Sequence, residues 1–255
     1  MPTGTHRFAG HAILAAALCT LALTLPAYAA QHKQADDSKS TAAAKPTPKQ
    51  RESVTHGSVV IDGQTIHYTA TAGTILLRDD KNQPTGLMFY VAYTKDDVRN
   101  PQDRPVTFLY NGGPGASSNW LTMSGLGPYK VELANGTPTP PAPYSVVPSH
   151  ESILDATDLV FIDAIGTGYS HVVDKGKSKT FWGVDEDVQS FGQFIQRYIT
   201  QNDRWNSPLF LYGESYGTTR SAGLAEYLQR QGIAVNGVVL QSSVLNYFDG
   251  SPGSD

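Results

Sequence analysis

Cysteine is nearly absent from this chain of 255 residues: the one present, Cys19, lies in an N-terminal stretch that reads as removable. Disulfides and thiol chemistry are thereby excluded for the remainder, which must depend on a packed core. No lysine and arginine cluster stands out and the formal charge is −4, so the electrostatic footprint of a nucleic-acid partner is missing. Internal repeats are lacking, no spacing of metal ligands is evident, and neither a metal nor a cofactor is expected. Histidines are missing from the whole stretch after Ser215. What is plentiful is apolar residues, at 40%, punctuated by 24 glycines and 16 prolines, enough for one sizeable core.

Residues 1–29 have the form of a secretory signal, with Arg7 in a short polar region, an apolar run from Ala12 to Leu25, and Ala27-Tyr28-Ala29 as an A-x-A cleavage site. An uncleaved membrane anchor is the alternative, for which the run is short. Leu18 precedes Cys19 where a lipoprotein signal carries a small residue. Export to the periplasm or beyond is expected, with no stable membrane insertion after cleavage. Residues 30–53, rich in Ala, Lys, Ser, Thr and Pro without periodicity, read as a disordered linker, leaving 54–255 as the folded part.

The folded part begins with alternating strands broken by Asp62-Gly63 and by residues 79–82: Ser58 to Ile61, Thr65 to Thr71, Thr74 to Arg78 and Leu87 to Tyr93. Continuous apolar runs follow at Val106 to Tyr110, Leu159 to Ile162, Leu209 to Tyr212 and Val238 to Leu240, a pattern suited to parallel strands buried on both faces. Asp185 to Gln201 carries Val188, Phe191, Ile195, Tyr198 and Ile199 on one helical stripe, and Ser215 to Gln231 is a second helix, stopped by Gly232. Strands alternating with helices imply an α/β fold. Thr137 to Pro148 is too rich in proline for either element and reads as a surface excursion.

Gly213-Glu214-Ser215-Tyr216-Gly217 matches G-x-S-x-G. The motif is weak alone, but here it follows a strand and opens a helix, which is the setting of a nucleophile elbow. Glycines two residues either side of the serine are needed because side chains there would collide with neighbouring elements. A second glycine-rich segment, Asn111-Gly112-Gly113-Pro114-Gly115, directly follows the strand Val106 to Tyr110. In hydrolases with this elbow, the loop at that point donates a backbone N–H to the oxyanion, beside the N–H of the residue after the nucleophile, here Tyr216.

These segments, with Ser117-Ser118, Gly127-Pro128, Phe161-Ile162-Asp163 and Gly166-Thr167-Gly168-Tyr169-Ser170, resemble the serine carboxypeptidase family, peptidase family S10. The resemblance runs from Val106 to about Asn246, and the hairpins from Thr55 to Tyr93 resemble the start of bacterial members. It implies an α/β-hydrolase fold, Ser215 as acyl-forming nucleophile, and Gly113 and Tyr216 as oxyanion donors. It further implies that Asn111, Gly112 and Glu214 bind the C-terminal carboxylate of a peptide substrate. A carboxyl at Glu214 helps there only when protonated, which predicts better activity in acid.

The chain departs from the family pattern at three places. Gly125 stands where many members carry a second glutamate, Asp163-Ala164-Ile165-Gly166 is one residue short of the common form, and Ala116 replaces a cysteine. None of His32, His56, His67, His150 and His171 suits a triad, because in this fold the acid and the histidine follow the serine. His171 lies nearest the site in sequence terms, and Asp163 is read as organising its own loop. The expectation is therefore the N-terminal part of a secreted serine carboxypeptidase, with the sheet truncated after the strand that follows the nucleophile helix and the piece inactive alone. An esterase or acyltransferase on the same scaffold is a second reading, and a catalytically silent peptide-binding module a third.

Overall fold

Asp62 and Gly63, at φ 47° and 76°, make the two-residue turn that matches the twist of a hairpin, and on either side of it lie β1 (Glu52–Ile61) and β2 (Gln64–Arg78), paired antiparallel. β1 thus starts inside the span read as linker. The computed structural model describes residues 48–133, 141–174, 176–243 and 245. The signal reading and most of the linker reading lie outside the described residues.

Sequence reading divides β2 at Gly73, whereas the strand is continuous. Gly73 pairs with Tyr90 of β3 (Pro84–Lys95), and a methyl group at Gly73 would sit 2.8 Å from the tyrosine ring. The glycine makes room for a ring and breaks nothing.

After this meander the chain alternates: β4 (Val106–Tyr110), α1 (Asn119–Met123), β5 (Tyr129–Val131), β6 (Val146–Pro148), β7 (Asp158–Ile162), β8 (His171–Val172), α2 (Val184–Gln201), β9 (Leu209–Glu214), α3 (Tyr216–Arg230) and β10 (Gly237–Gln241). The excursion expected up to Pro148 is corrected at its end, since β6 pairs antiparallel with β5 as a small ribbon. Pro148 is tolerated there as the terminal residue of a two-stranded edge.

The main sheet runs β1-β2-β3-β7-β4-β9-β10, with β8 also on β3; β7, β4, β9 and β10 are mutually parallel. Every residue of β4 and β7 is buried. Alternate side chains serve opposite faces: Val106, Phe108, Tyr110, Val160 and Ile162 enter the core beneath α2 and α3, while Leu109, Leu159 and Phe161 enter a second core with Leu121, Leu154, Ile66 and Tyr68. That is the physical content of a continuous apolar run. At the opposite edge Val238, Val239 and Leu240 of β10 are exposed among the described residues.

The starting ends of the parallel strands are tied by charge. Asp158 accepts from Arg104 Nε at 2.7 Å and from Arg204 Nη1 at 2.6 Å, Asp158 and Arg204 being buried and Arg104 part-buried. Among the described residues no helix is long and apolar enough to cross a membrane.

Topology fixes where a site can form. From β4 the chain proceeds to β7 on one side, and from β9 it proceeds to β10 on the other, yet β4 and β9 are neighbours. Their carboxyl ends therefore border the crevice at a switch point, the place where open α/β sheets bind ligands.

Candidate active site

The register Tyr110↔Gly213 between β4 and β9 brings Asn111 and Glu214 side by side just beyond the sheet. Asn111 Nδ2 donates to Glu214 Oε2 at 2.9 Å, joining the two glycine-rich segments through side chains. The next residue, Ser215, sits at φ 56° and ψ −123°, a left-handed conformation that a serine adopts only under strain, and its backbone N–H donates to Gln241 O of β10. The turn is as tight as the motif requires: a methyl group at Gly213 would lie 2.1 Å from the carbonyl oxygen of Gly217. Ser215 is part-exposed at the start of α3, and its hydroxyl has no hydrogen-bond partner among the described residues.

The loop after β4 lies directly on the elbow. A methyl group at Gly112 would fall 2.4 Å from the amide nitrogen of Tyr216, so only glycine permits this approach of the two backbones. Gly113 follows, exposed, and its N–H donates no hydrogen bond among the described residues. Donors from both segments are thereby gathered at the strand ends, in an arrangement capable of receiving a developing oxyanion.

Asn111 is held at every polar atom. Its N–H donates to Ser118 Oγ at 3.2 Å, its Oδ1 accepts from Leu121 N–H at 3.1 Å, and its carbonyl accepts from Arg220 Nη1 at 2.8 Å. Ser118 is anchored in turn, its N–H donating to Asp163 Oδ1 at 2.8 Å and its hydroxyl to the Ile162 carbonyl. Asp163 thus organises loops, as the sequence reading has it, and a methyl group on Gly168 of the facing turn would collide with its carboxylate. Burial pushes the Asp163 carboxyl above its ordinary range, against the opposing pull of N–H bonds from Ser118 and Tyr169.

Arg220 and Asp187 were not singled out in the sequence, yet they underpin the site. Arg220 is 1% exposed and forks onto Asp187, Nε to Oδ2 at 2.7 Å and Nη2 to Oδ1 at 3.2 Å, with its guanidinium 4.2 Å from the centre of the Phe191 ring. The signal was available: Tyr216, Arg220 and Leu224 are spaced by four along α3, so the arginine stands in an apolar stripe where an unpaired charge is untenable.

Other sequence expectations fare unevenly. Glu214 is only half-buried, not the buried carboxyl the acid-activity argument assumes. Gly125 is at φ 109°, buried against Ser149, where any side chain would be strained. The histidines that make hydrogen bonds are engaged elsewhere, His56 with Thr69, His150 with the Val60 carbonyl and His171 with the Tyr169 carbonyl; among the described residues none is bonded to Ser215.

Comparison with known proteins places this geometry. A family model described as serine carboxypeptidase matches residues 64–241. Serine carboxypeptidase-like 45 of Arabidopsis thaliana is 29% identical over 176 residues, covering 64% of this chain and 35% of that protein. The pheromone-processing carboxypeptidase KEX1 of Arthroderma otae is 30% identical over 140 residues, covering 51% of this chain and 19% of its own length. Among solved structures, that of Kex1(delta)p, a prohormone-processing carboxypeptidase from Saccharomyces cerevisiae, superposes with a TM-score of 0.54 at 22% identity, over 70% of this chain and 39% of that one. The chain thus spans well under half the length of these relatives. The fold is that of the α/β-hydrolases, and with the family match covering most of its length, this chain belongs to the serine carboxypeptidase family.

Proposed function

We propose that the protein is an exported serine carboxypeptidase that releases C-terminal amino acids from peptides through an acyl-enzyme on Ser215. In this reading the Ser215 hydroxyl attacks the carbonyl carbon of the last peptide bond, and its proton passes by way of a general base to the departing nitrogen. The carbonyl oxygen, now an oxyanion, is received by the N–H groups of Gly113 and Tyr216. The C–N bond breaks, the terminal amino acid leaves with a proton on its nitrogen, and water hydrolyses the ester on Ser215. Asn111, Gly112 and Glu214 receive the carboxylate of the departing residue, with residues 1–29 directing export.

The observation that carries the reading is the Asn111–Glu214 hydrogen bond beside a serine at φ 56°. It sets an amide, a carboxyl and a strained serine at adjacent strand ends.

Matched peptides with free and amidated C-termini test this. One charge-assisted hydrogen bond should favour the free acid by roughly ten- to 150-fold in kcat/KM, and Asn111→Ala should reduce that preference. Equal turnover of the two forms would contradict the carboxypeptidase reading and favour an esterase or acyltransferase. With Gly125 in place of a second glutamate, a preference of about 10⁴ would require another group in its role.

A further inference from the structure

Residues 112–115 are three glycines and a proline, yet one N–H in this loop, that of Gly113, must hold a fixed direction if it is to receive charge. Glycine has the greatest backbone freedom of any residue, so that direction has to be imposed from outside the loop.

Arg220 imposes it from α3. Its Nη1 donates to the Asn111 carbonyl at 2.8 Å, and because a peptide unit is planar, fixing that carbonyl also fixes the Gly112 N–H on its far side. Gly112 is then confined by the elbow itself: a methyl group there would lie 2.4 Å from Tyr216 N and 2.7 Å from the Glu214 carbonyl oxygen. One residue, Gly112, separates this fixed peptide from the Gly113 N–H.

The same guanidinium reaches the second donor. Its centre lies 5.3 Å from the centroid of the Tyr216 ring, 5.3 Å from that of Tyr110 and 4.2 Å from that of Phe191, while Nε and Nη2 are held by Asp187. A group so enclosed has one orientation, and the helix that carries it begins at Tyr216. A single side chain thus refers both proposed donors to one frame.

We propose that Arg220 is a positioning residue for the oxyanion donors, aiming the N–H groups of Gly113 and Tyr216 at one point, beyond its part in neutralising Asp187. This role rests on the reading of Ser215 as nucleophile and of Gly113 and Tyr216 as donors.

Neutralising Asp187 and holding the carbonyl are separable. Arg220→Met with Asp187→Leu removes both charges, so no carboxylate is stranded, but the Asn111 carbonyl loses its donor. Asp158→Asn, in the clamp at the starting ends of the strands, is the control for lost stability alone. In the intact protein, at a temperature where every variant is folded, labelling of Ser215 by a fluorophosphonate is followed against reagent concentration, which separates the maximum rate from the half-saturating concentration. The phosphoryl oxygen of the reagent gains negative charge as the serine attacks and calls on the same donors as a carbonyl oxygen. The double variant should label with a maximum rate about 10- to 100-fold lower and a half-saturating concentration within about threefold of the parent. Asp158→Asn should label within about twofold of the parent rate. A double variant as fast as the parent, a loss confined to the half-saturating concentration, or an equal loss in Asp158→Asn would each overturn the proposal. A parent never labelled at Ser215 refutes the nucleophile reading and the positioning role with it, whereas a labelled parent whose double variant keeps the rate refutes the positioning role alone.

Discussion

Arg220 shows what a single buried side chain can decide. Its guanidinium carries a charge into the core beneath the elbow, and only the fork onto Asp187 and the bond to the Asn111 carbonyl make that tolerable. Arg220→Met should therefore destabilise the protein by about 3–5 kcal/mol, chiefly by stranding the Asp187 carboxylate, while Arg220→Met with Asp187→Leu should recover most of the loss. Denaturant midpoints of the two variants measure this; a double variant no more stable than the single would show that the pair is not the cause. Asp163 offers a second test. Because burial raises its carboxyl above the ordinary aspartate range, the native state holds this proton more tightly than the unfolded chain does. Its contribution to stability is fully present below the ordinary aspartate value and is lost as pH rises through the folded value. Asp163→Asn should flatten the fall in melting temperature as pH rises above the ordinary aspartate value; an unchanged slope would assign the titration to another group. At this scale the sequence points to Ser215 through its motif and setting, and to Asn111 and Glu214 through the family resemblance. Arg220 and Asp187 escape such reading, since 33 residues separate them and only the packing of α3 on α2 pairs them.

Elements were legible where one local rule governs them. β4, β7 and β9 are apolar on both faces and read as parallel strands, and α2 reads from its stripe, Val188, Phe191, Ile195, Tyr198 and Ile199, all buried. Rules fail where a distant partner decides. Gly73 looks like a break until the Tyr90 ring lies over it, and β6 is concealed by prolines until β5 pairs with it. The buried clamp Arg104–Asp158–Arg204 is of the same kind: three charges far apart in sequence that close the starting end of the sheet. Asp158→Asn leaves the buried Arg204 guanidinium and the part-buried Arg104 guanidinium without their counter-ion and should cost about 3–5 kcal/mol in unfolding free energy. It should leave the site at the other strand ends intact, so affinity for a site ligand in the folded variant should stay within about twofold, because sites so separated act nearly independently. A loss below 1 kcal/mol would show that solvent reaches the clamp.

On the scale of the whole molecule, alternation of strands and helices announces the fold class, but strand order does not follow from it. That β7 and β9 flank β4 on opposite sides is a property of two crossovers, and it is this order that puts two glycine-rich loops, about 100 residues apart in the chain, into contact. In the proposed function this contact serves one serine, Ser215. Treatment of the intact protein, purified from its source, with a fluorophosphonate reagent and mapping of the modified peptide by mass spectrometry tests that most directly. Modification of Ser215 alone, abolished in Ser215→Ala, is expected; label on another serine, or label that persists in Ser215→Ala, would contradict Ser215 as the nucleophile.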